Sequence, residues 1–128
     1  KGNSQLLTLE LCFAGTGIGD PTGIGLAEAV KENATLQFVE LVLRDNTGLA
    51  KAGTRLAKAV KGNSKLRSLE LDFNHTDIGD ETGIELAAAV KKNAMLQTLK
   101  LCFECTRAFG INNFRGIAEA SGRTRRCY

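Results

Sequence analysis

The sequence has few of the residues and segments that mark several large classes of protein. Among 128 residues there is no tryptophan, one tyrosine, one proline and one histidine. No apolar run approaches the ~18 residues that cross a membrane. The first residues, Lys1-Gly2-Asn3-Ser4-Gln5, lack the apolar stretch of a signal peptide. These absences predict a cytoplasmic protein that does not associate with membranes.

Cysteine is also too sparse to predict a disulfide framework or a metal site. The four cysteines are Cys12, Cys102, Cys105 and Cys127. Cys102 and Cys105 form a lone C-x-x-C, whereas zinc needs about four ligands. Free thiols in a reducing compartment and no bound metal are therefore predicted, with a Cys105–Cys127 pair as the geometrically possible alternative. Two glycosylation triplets, at Asn33-Ala34-Thr35 and Asn74-His75-Thr76, keep secretion open as the alternative.

Residues suited to catalysis and to nucleic-acid binding are scarce. His75 is the only histidine, Ser68 is the only serine near it, and nothing suggests an oxyanion hole. The net charge of +3 is small, and no nucleic-acid-binding motif accompanies the scattered lysines and arginines. The sequence therefore predicts neither an enzyme nor a nucleic-acid-binding protein.

The sequence does contain a repeat of 30 residues. Its five columns are Asn3, Asn33, Asn63 and Asn93; Leu6, Leu36, Leu66 and Leu96; Leu9, Val39, Leu69 and Leu99; Leu11, Leu41, Leu71 and Leu101; and Phe13, Leu43, Phe73 and Phe103. One domain spans 1–128, with repeats at 3–32, 33–62, 63–92 and 93–121 and a C-terminal tail at 122–128. Lys1-Gly2-Asn3 matches Lys61-Gly62-Asn63, so we expect a fragment of a longer array.

Each repeat combines two periodicities. Leu9, Leu11 and Phe13 alternate with other residues, which predicts a strand with one buried face. Apolar and small residues then recur at helical spacing from Gly23 to Val30, and Lys31 follows where a cation suits the helix dipole. One such unit cannot bury its apolar face alone, so neighbouring units stack into a solenoid. The predicted fold is α/β: a right-handed β-α superhelix of four repeats, with a parallel sheet on the concave face and helices on the convex face.

Particular residues resemble a known family. Leu66-x-x-Leu69-x-Leu71-x-x-Asn74 matches the leucine-rich repeat pattern, and the loop from Ile78 to Gly83 resembles that of the ribonuclease-inhibitor-like subclass. The resemblance extends from residue 3 to about 121. The subclass includes tropomodulin-like domains and NLR-type receptor arrays. It implies protein binding. Residues 14, 44 and 104 are not asparagine, which predicts that the buried asparagine ladder of many members is missing.

The interpretation of two segments depends on comparing them with the equivalent positions of other repeats. The glycines at 15, 17 and 19 superficially match a dinucleotide loop, but the third is misplaced, and residues 75 and 77 of the equivalent loop are not glycine. We therefore interpret this segment as a connecting loop and predict no cofactor. In the fourth repeat the helix pattern slips by one position, at Gly116–Ala120, which fits either a terminal cap or a decayed repeat.

The outward positions of the predicted strands form three columns. They are Thr8, Phe38, Ser68 and Thr98; Glu10, Glu40, Glu70 and Lys100; and Cys12, Val42, Asp72 and Cys102. The predicted partner-binding residues are Glu10, Phe38, Glu40, Val42, Glu70, Asp72 and Lys100. The sequence thus predicts a protein-protein interaction module that binds through the concave face and rim. Alternatives are tropomodulin-like binding of an actin filament end, the sensor or autoinhibitory array of a larger receptor, or a merely solvated face.

Two physical expectations accompany this assignment. Cys12 and Cys102 are expected to point out of the sheet as reactive thiols, and they lie about 14 Å apart, too far to pair with each other. Leu11 and Leu101 are expected to be buried. The first strand leaves an open sheet edge, which predicts self-association or marginal stability that a preceding repeat would relieve.

Overall fold

Strands and helices alternate along the chain, as the repeat predicts. The structure, a computed structural model, describes residues 5–103, 106 and 124–126. The elements are β1 (Thr8–Cys12), α1 (Asp20–Glu32), β2 (Phe38–Val42), α2 (Ala50–Gly62), β3 (Ser68–Asp72), α3 (Asp80–Lys92), β4 (Thr98–Cys102) and β5 (Thr124–Arg126). The fold is an α/β solenoid like that of leucine-rich repeats. The predicted fourth-repeat helix lies outside the described residues.

The strands form one parallel sheet in chain order, β1 to β5. From β1 to β4 every residue pairs with the residue 30 positions later, so that Glu10 faces Glu40 and Glu40 faces Glu70. The last pairing differs, because Lys100 faces Arg125 at an offset of 25 residues. A 30-residue offset from β4 would begin the next strand at residue 128, the last residue of the sequence. The structure therefore finds a strand within the segment that the sequence assigns to the tail.

The core lies between the sheet and the helices. Leu41, Leu71 and Leu101 have at most 1% of their surface exposed, as does Val60 on the helix side. The buried residues of strands and helices form one continuous apolar cluster. The alternation in the strands thus assigned the buried face correctly.

Small residues let the three helices pack closely. A Cβ atom added to Gly23 of α1 would overlap the Cβ of Ala52 in α2. One added to Gly53 of α2 would lie 2.6 Å from the Thr82 hydroxyl oxygen in α3. Thr82 is itself 1% exposed, so it has little room to move. The helix spacing therefore depends on glycine at these two positions.

Replacing Gly23 with alanine is expected to lower the free energy of unfolding by about 1 to 3 kcal/mol, because α1 and α2 must separate. Gly25→Ala in the same helix is the matched control, since its added Cβ would meet nothing within 4 Å. That change should raise stability by about 0.5 to 1 kcal/mol. Urea denaturation of both variants measures the difference. Equal effects would show that the helices do not touch at Gly23.

Buried asparagines link consecutive repeats where the helices end. The amide nitrogen of Asn63 donates to the carbonyls of Val30 (2.9 Å) and Asn33 (3.3 Å) at the end of α1. Asn93 donates in the same way to Val60 (3.2 Å) and Asn63 (3.0 Å). These asparagines form a ladder, but it is not the one that the sequence predicts to be missing. The ladder stands at the helix ends instead of at the motif position after the strand, because the turn there also leaves carbonyls that need donors.

A second set of side chains closes the turn after each strand. The hydroxyls of Thr16, Thr76 and Thr106 donate to the carbonyl three residues earlier, at 2.7–3.0 Å. At the equivalent place in the second repeat stands Asn46, which is 2% exposed. Its amide donates to the carbonyls of residues 13, 43 and 44, and its oxygen accepts from the residue 17 amide. This asparagine joins the first and second repeats.

Helix α2 is capped by its neighbours. It has no acidic residue in its first turn, and its N-cap residue, Leu49, makes no capping hydrogen bond. Asp77 of the third repeat accepts from the amides of Gly48 (2.9 Å) and Leu49 (2.7 Å). Asp20 of the first repeat accepts from the Ala52 amide at 2.8 Å. Carboxylates from both sides therefore satisfy donors that the helix start leaves free.

The β1 edge of the solenoid exposes apolar surface. Leu9, Leu11 and Phe13 are only partly buried, whereas their counterparts in the second repeat have none of their surface exposed. The predicted burial of Leu11 is therefore incomplete, because no earlier repeat in the described residues covers this strand. Leu7, just before β1, has 53% of its surface exposed. β1 pairs with β2 on one side only. Within the described residues no strand pairs with its other side, which is flanked by partly buried leucines.

Candidate protein-binding face

The side of the sheet away from the helices is solvent-accessible. We call it the open face and define it by the three outward columns on β1 to β4, with central column Glu10, Glu40, Glu70 and Lys100. Glu10 is exposed, and the other predicted partner-binding residues are half-buried. These are Phe38, Glu40, Val42, Glu70, Asp72 and Lys100. Strand alternation therefore placed all seven on one surface, while their role in binding remains a prediction.

A shallow depression of about 80 Å³ lies in the open face over β2 to β4. Its lining residues are Glu40, Leu41, Val42, Glu70, Leu71, Asp72, Lys100 and Cys102. Five of the seven predicted residues thus meet in one concavity. Glu10 and Phe38 lie beside it, on β1 and at the start of β2.

The charges of the central column form no ion pairs within the described residues, although Lys100 lies directly opposite Glu70 on the next strand. Neighbouring strands lie about 4.8 Å apart, and two like charges at such a distance repel by about 1 kcal/mol in water. A partner that supplies cations would relieve this repulsion.

Asp72, beside the column, differs from these glutamates. Its carboxylate lies 4.0 Å from the Arg44 guanidinium and accepts from the Asn74 amide at 3.0 Å. The ion pair is partly exposed, since the Arg44 side chain is 52% accessible. Asp72 is therefore held by its own loop, and its role in partner binding is expected to be smaller than that of the glutamates.

The two outward cysteines differ from each other. Cys12 is an exposed free thiol, as predicted. Cys102 has 4% of its surface exposed and is disulfide-bonded, so the prediction of an open, reactive thiol there is wrong. Strand alternation predicts exposure only where nothing packs on the outward side of the strand. At Cys102 the disulfide-bonded partner cysteine packs there. Cys105 and Cys127, the other predicted free thiols, lie outside the described residues.

A maleimide reagent is expected to modify Cys12 in the folded protein without reductant, and to leave Cys102 unmodified until reduction and denaturation. The reason is accessibility, since only the first is an exposed thiol. Peptide mass spectrometry before and after denaturation measures both. Rapid labelling of Cys102 in the native, unreduced protein would contradict this assignment.

The loops after the strands share a left-handed residue. Asp45 and His75 have φ values of 59° and 55°, and Gly15 at the equivalent position has 63°. The first glycine of the Gly15-x-Gly17 segment therefore belongs to a turn that recurs in the first three repeats, which supports its interpretation as a connecting loop. His75 is exposed, and Ser68 lies on the open face.

Neither a metal cluster nor a membrane span is found in the described residues. No three of their His, Cys, Asp or Glu side chains come together in a way that would hold a metal ion. None of their helices combines the length and apolar character that crossing a bilayer requires.

Comparison with known proteins identifies the fold. No protein-family model matches the chain, and no curated protein sequence matches it. Among solved structures, the chain is similar to Leiomodin-1 Actin-Binding Site 2 (ABS2), with a TM-score of 0.70 and 17% sequence identity. The match covers 98% of this chain and 73% of the other. At this identity the likeness establishes the fold, which is leucine-rich-repeat-like.

Proposed function

We propose that this chain is a protein-protein interaction module that binds a partner protein through the open face of its sheet, the concave side of a ribonuclease-inhibitor-like array. The observation that carries the proposal is the column of unpaired charges beside exposed apolar surface. Glu10, Glu40 and Glu70 stand on adjacent strands in register, and none of them forms an ion pair within the described residues. Phe38 and Val42 lie within the same surface, half-buried.

Simple solvation of the face does not account for this arrangement. Aligned like charges weaken a sheet, because residues directly opposite each other on neighbouring strands repel. Serine or threonine would be tolerated at these positions without that penalty. Aromatic residues flanked by polar ones are typical of interface hot spots. Phe38 is therefore the proposed apolar anchor, and the glutamates select a basic or polar surface on the partner.

Site-specific photo-cross-linking tests the proposal. A photo-reactive residue at Thr98, which is exposed on the open face, should capture the partner. The same residue at Ala88, which is exposed on α3, should not capture it. The captured protein is then purified and its dissociation constant measured. Binding should weaken at least about tenfold when Glu10, Glu40 and Glu70 become glutamine. Equal capture from both positions, or unchanged affinity in the triple variant, would place the interface elsewhere.

Actin is the second candidate partner. The reason is the similarity to Leiomodin-1 Actin-Binding Site 2, whose name states that it binds actin. If this chain acts likewise, it should sediment with actin filaments or change the rate of actin polymerisation. A chain that does neither, while the cross-linking experiment captures a different protein, would exclude actin and retain the interaction module.

We further propose that the β1 edge supports self-association, because a free strand edge flanked by apolar side chains pairs readily with another chain. Leu7→Lys should reduce the weight-average mass measured by light scattering at high concentration. Ile84→Lys, on α3 and similarly exposed at 58%, is the matched control and should not. A wild-type chain that is monomeric at all concentrations would contradict the proposal.

A cytoplasmic location is proposed because actin filaments, one candidate partner, are cytoplasmic. The bond at Cys102 provides a test, since disulfides are uncommon in reducing compartments. Although the structure contains this bond, a reducing compartment would break it, so alkylation of thiols in intact cells should find Cys102 as a free thiol if the location is cytoplasmic. An oxidised Cys102 there would assign the protein to an oxidising compartment.

A further inference from the structure

The open face carries an ordered series of charges. From β1 to β4 the central column is Glu10, Glu40, Glu70 and Lys100, and register places Arg125 next, on β5. The sign changes once, between β3 and β4. None of the first four charges is paired within the described residues. A ligand complementary to this column must itself carry several cations followed by an anion.

The spacing of the column selects the conformation of that ligand. Adjacent strands are about 4.8 Å apart, so three steps from Glu10 to Lys100 cover about 14 Å. One face of an α-helix presents a side chain every 5.4 Å, and three turns cover about 16 Å. An extended segment presents one every ~6.7 Å on the same side, and three steps cover about 20 Å. The side chains of a helix therefore stay close to all four charges of the column. Those of an extended segment are displaced by more than one strand spacing at the fourth charge.

The width of the open face agrees with this choice. From the first outward column at Thr8 to the third at Cys12 the strand rises by about 13 Å. An α-helix with its side chains is about 10 to 12 Å across. A single helix laid across the strands would therefore fill the face. Phe38 and Val42 would contact it on either side of the second turn, because they flank Glu40 along β2.

We infer that the open face receives an α-helix of the partner protein, laid across the strands, with basic residues on three successive turns against Glu10, Glu40 and Glu70 and an acidic residue on the fourth turn against Lys100. This inference rests on the proposed function. It specifies the class of partner, a basic amphipathic helix with one acidic end, and its position. The sign change requires the basic end to lie over β1 and the acidic end over β4.

The test uses synthetic helical peptides and the full chain. The first peptide carries lysines at i, i+4 and i+7, a glutamate at i+11 and apolar residues beside the second lysine. It should bind the wild-type chain, and binding should fall about tenfold for the Glu10→Gln, Glu40→Gln, Glu70→Gln variant. The control variant carries Glu28→Gln, Glu81→Gln and Glu85→Gln, the same charge change on the helix side, and should bind normally.

Two further comparisons examine orientation and conformation. Lys100→Glu should weaken the first peptide about tenfold, and a second peptide with lysine at i+11 should recover that loss. A third peptide, with two central prolines that prevent helix formation, should bind at least about tenfold more weakly. Equal binding of the proline peptide, or no coupling between Lys100 and position i+11, would overturn the inference.

The two proposals fail differently. If cross-linking from Thr98 captures a partner that binds through the glutamates, but no helical peptide binds, the helix inference is wrong and the interaction module stands. If neither experiment shows binding to the open face, both are wrong. Circular dichroism of every variant verifies that it folds.

Discussion

Asn63→Ala is expected to lower the free energy of unfolding by about 3 to 5 kcal/mol. The side chain is 4% exposed, donates to the carbonyls of Val30 and Asn33, and accepts from the Lys65 amide at 3.0 Å. Alanine would leave these backbone groups without their partner in a buried place. Each group left in that state costs about 1 to 3 kcal/mol.

Urea denaturation followed by circular dichroism measures the effect of this change. Ser64→Ala, at the exposed neighbouring position, is the control and should change stability by less than about 0.5 kcal/mol. Asn63→Asp should destabilise at least as strongly as alanine, because a buried carboxylate would face two carbonyl oxygens. A loss below about 1 kcal/mol for Asn63→Ala would mean that the asparagine does not hold the two repeats together.

Leu101→Ala is expected to destabilise the protein by about 2 to 5 kcal/mol, and Leu11→Ala by clearly less. The two residues occupy one column of the sheet. Leu101 has no exposed surface, whereas Leu11 lies in the edge strand and is only partly buried. The cavity left at Leu101 is closed on all sides, while the space left at Leu11 opens to solvent.

The comparison should be made by urea denaturation at low and at high protein concentration. At low concentration the two losses should differ by at least about 1 kcal/mol. If the loss for Leu11→Ala rises to equal that for Leu101→Ala only at high concentration, self-association covers the β1 edge. Equal losses at every concentration would contradict the burial difference between the two strands.

The fold followed from the sequence because the repeat fixes register. Glu10 pairs with Glu40 and Leu11 with Leu41, so the strand register equals the 30-residue length of the repeat. Alternation then decides which side chains face the core. The open-face residues were found for the same reason, since an outward position needs no tertiary information. β5 was not found, because its offset of 25 residues follows no earlier repeat.

Other features depend on contacts that sequence spacing does not reveal. The asparagine column at residues 33, 63 and 93 was visible only as one column of the repeat. Its link to the preceding repeat appears only once the turns stack. Burial of Cys102 likewise depends on a covalent neighbour rather than on strand alternation. The caps of α2 come from Asp77 and Asp20, which lie 28 and 32 residues along the chain from the amides of Leu49 and Ala52.

The shared capping of α2 bears on how the array unfolds. A stack of repeats is described by the intrinsic stability of each unit and the coupling between neighbours. Here the amides at the start of α2 are satisfied only when Asp20 and Asp77 are in place on either side. Loss of an outer repeat therefore removes a cap from the middle one as well as its buried surface. Native-state hydrogen exchange should consequently show the amides of Leu49 and Ala52 opening together with the flanking loops, so that the central repeats melt as one cooperative unit.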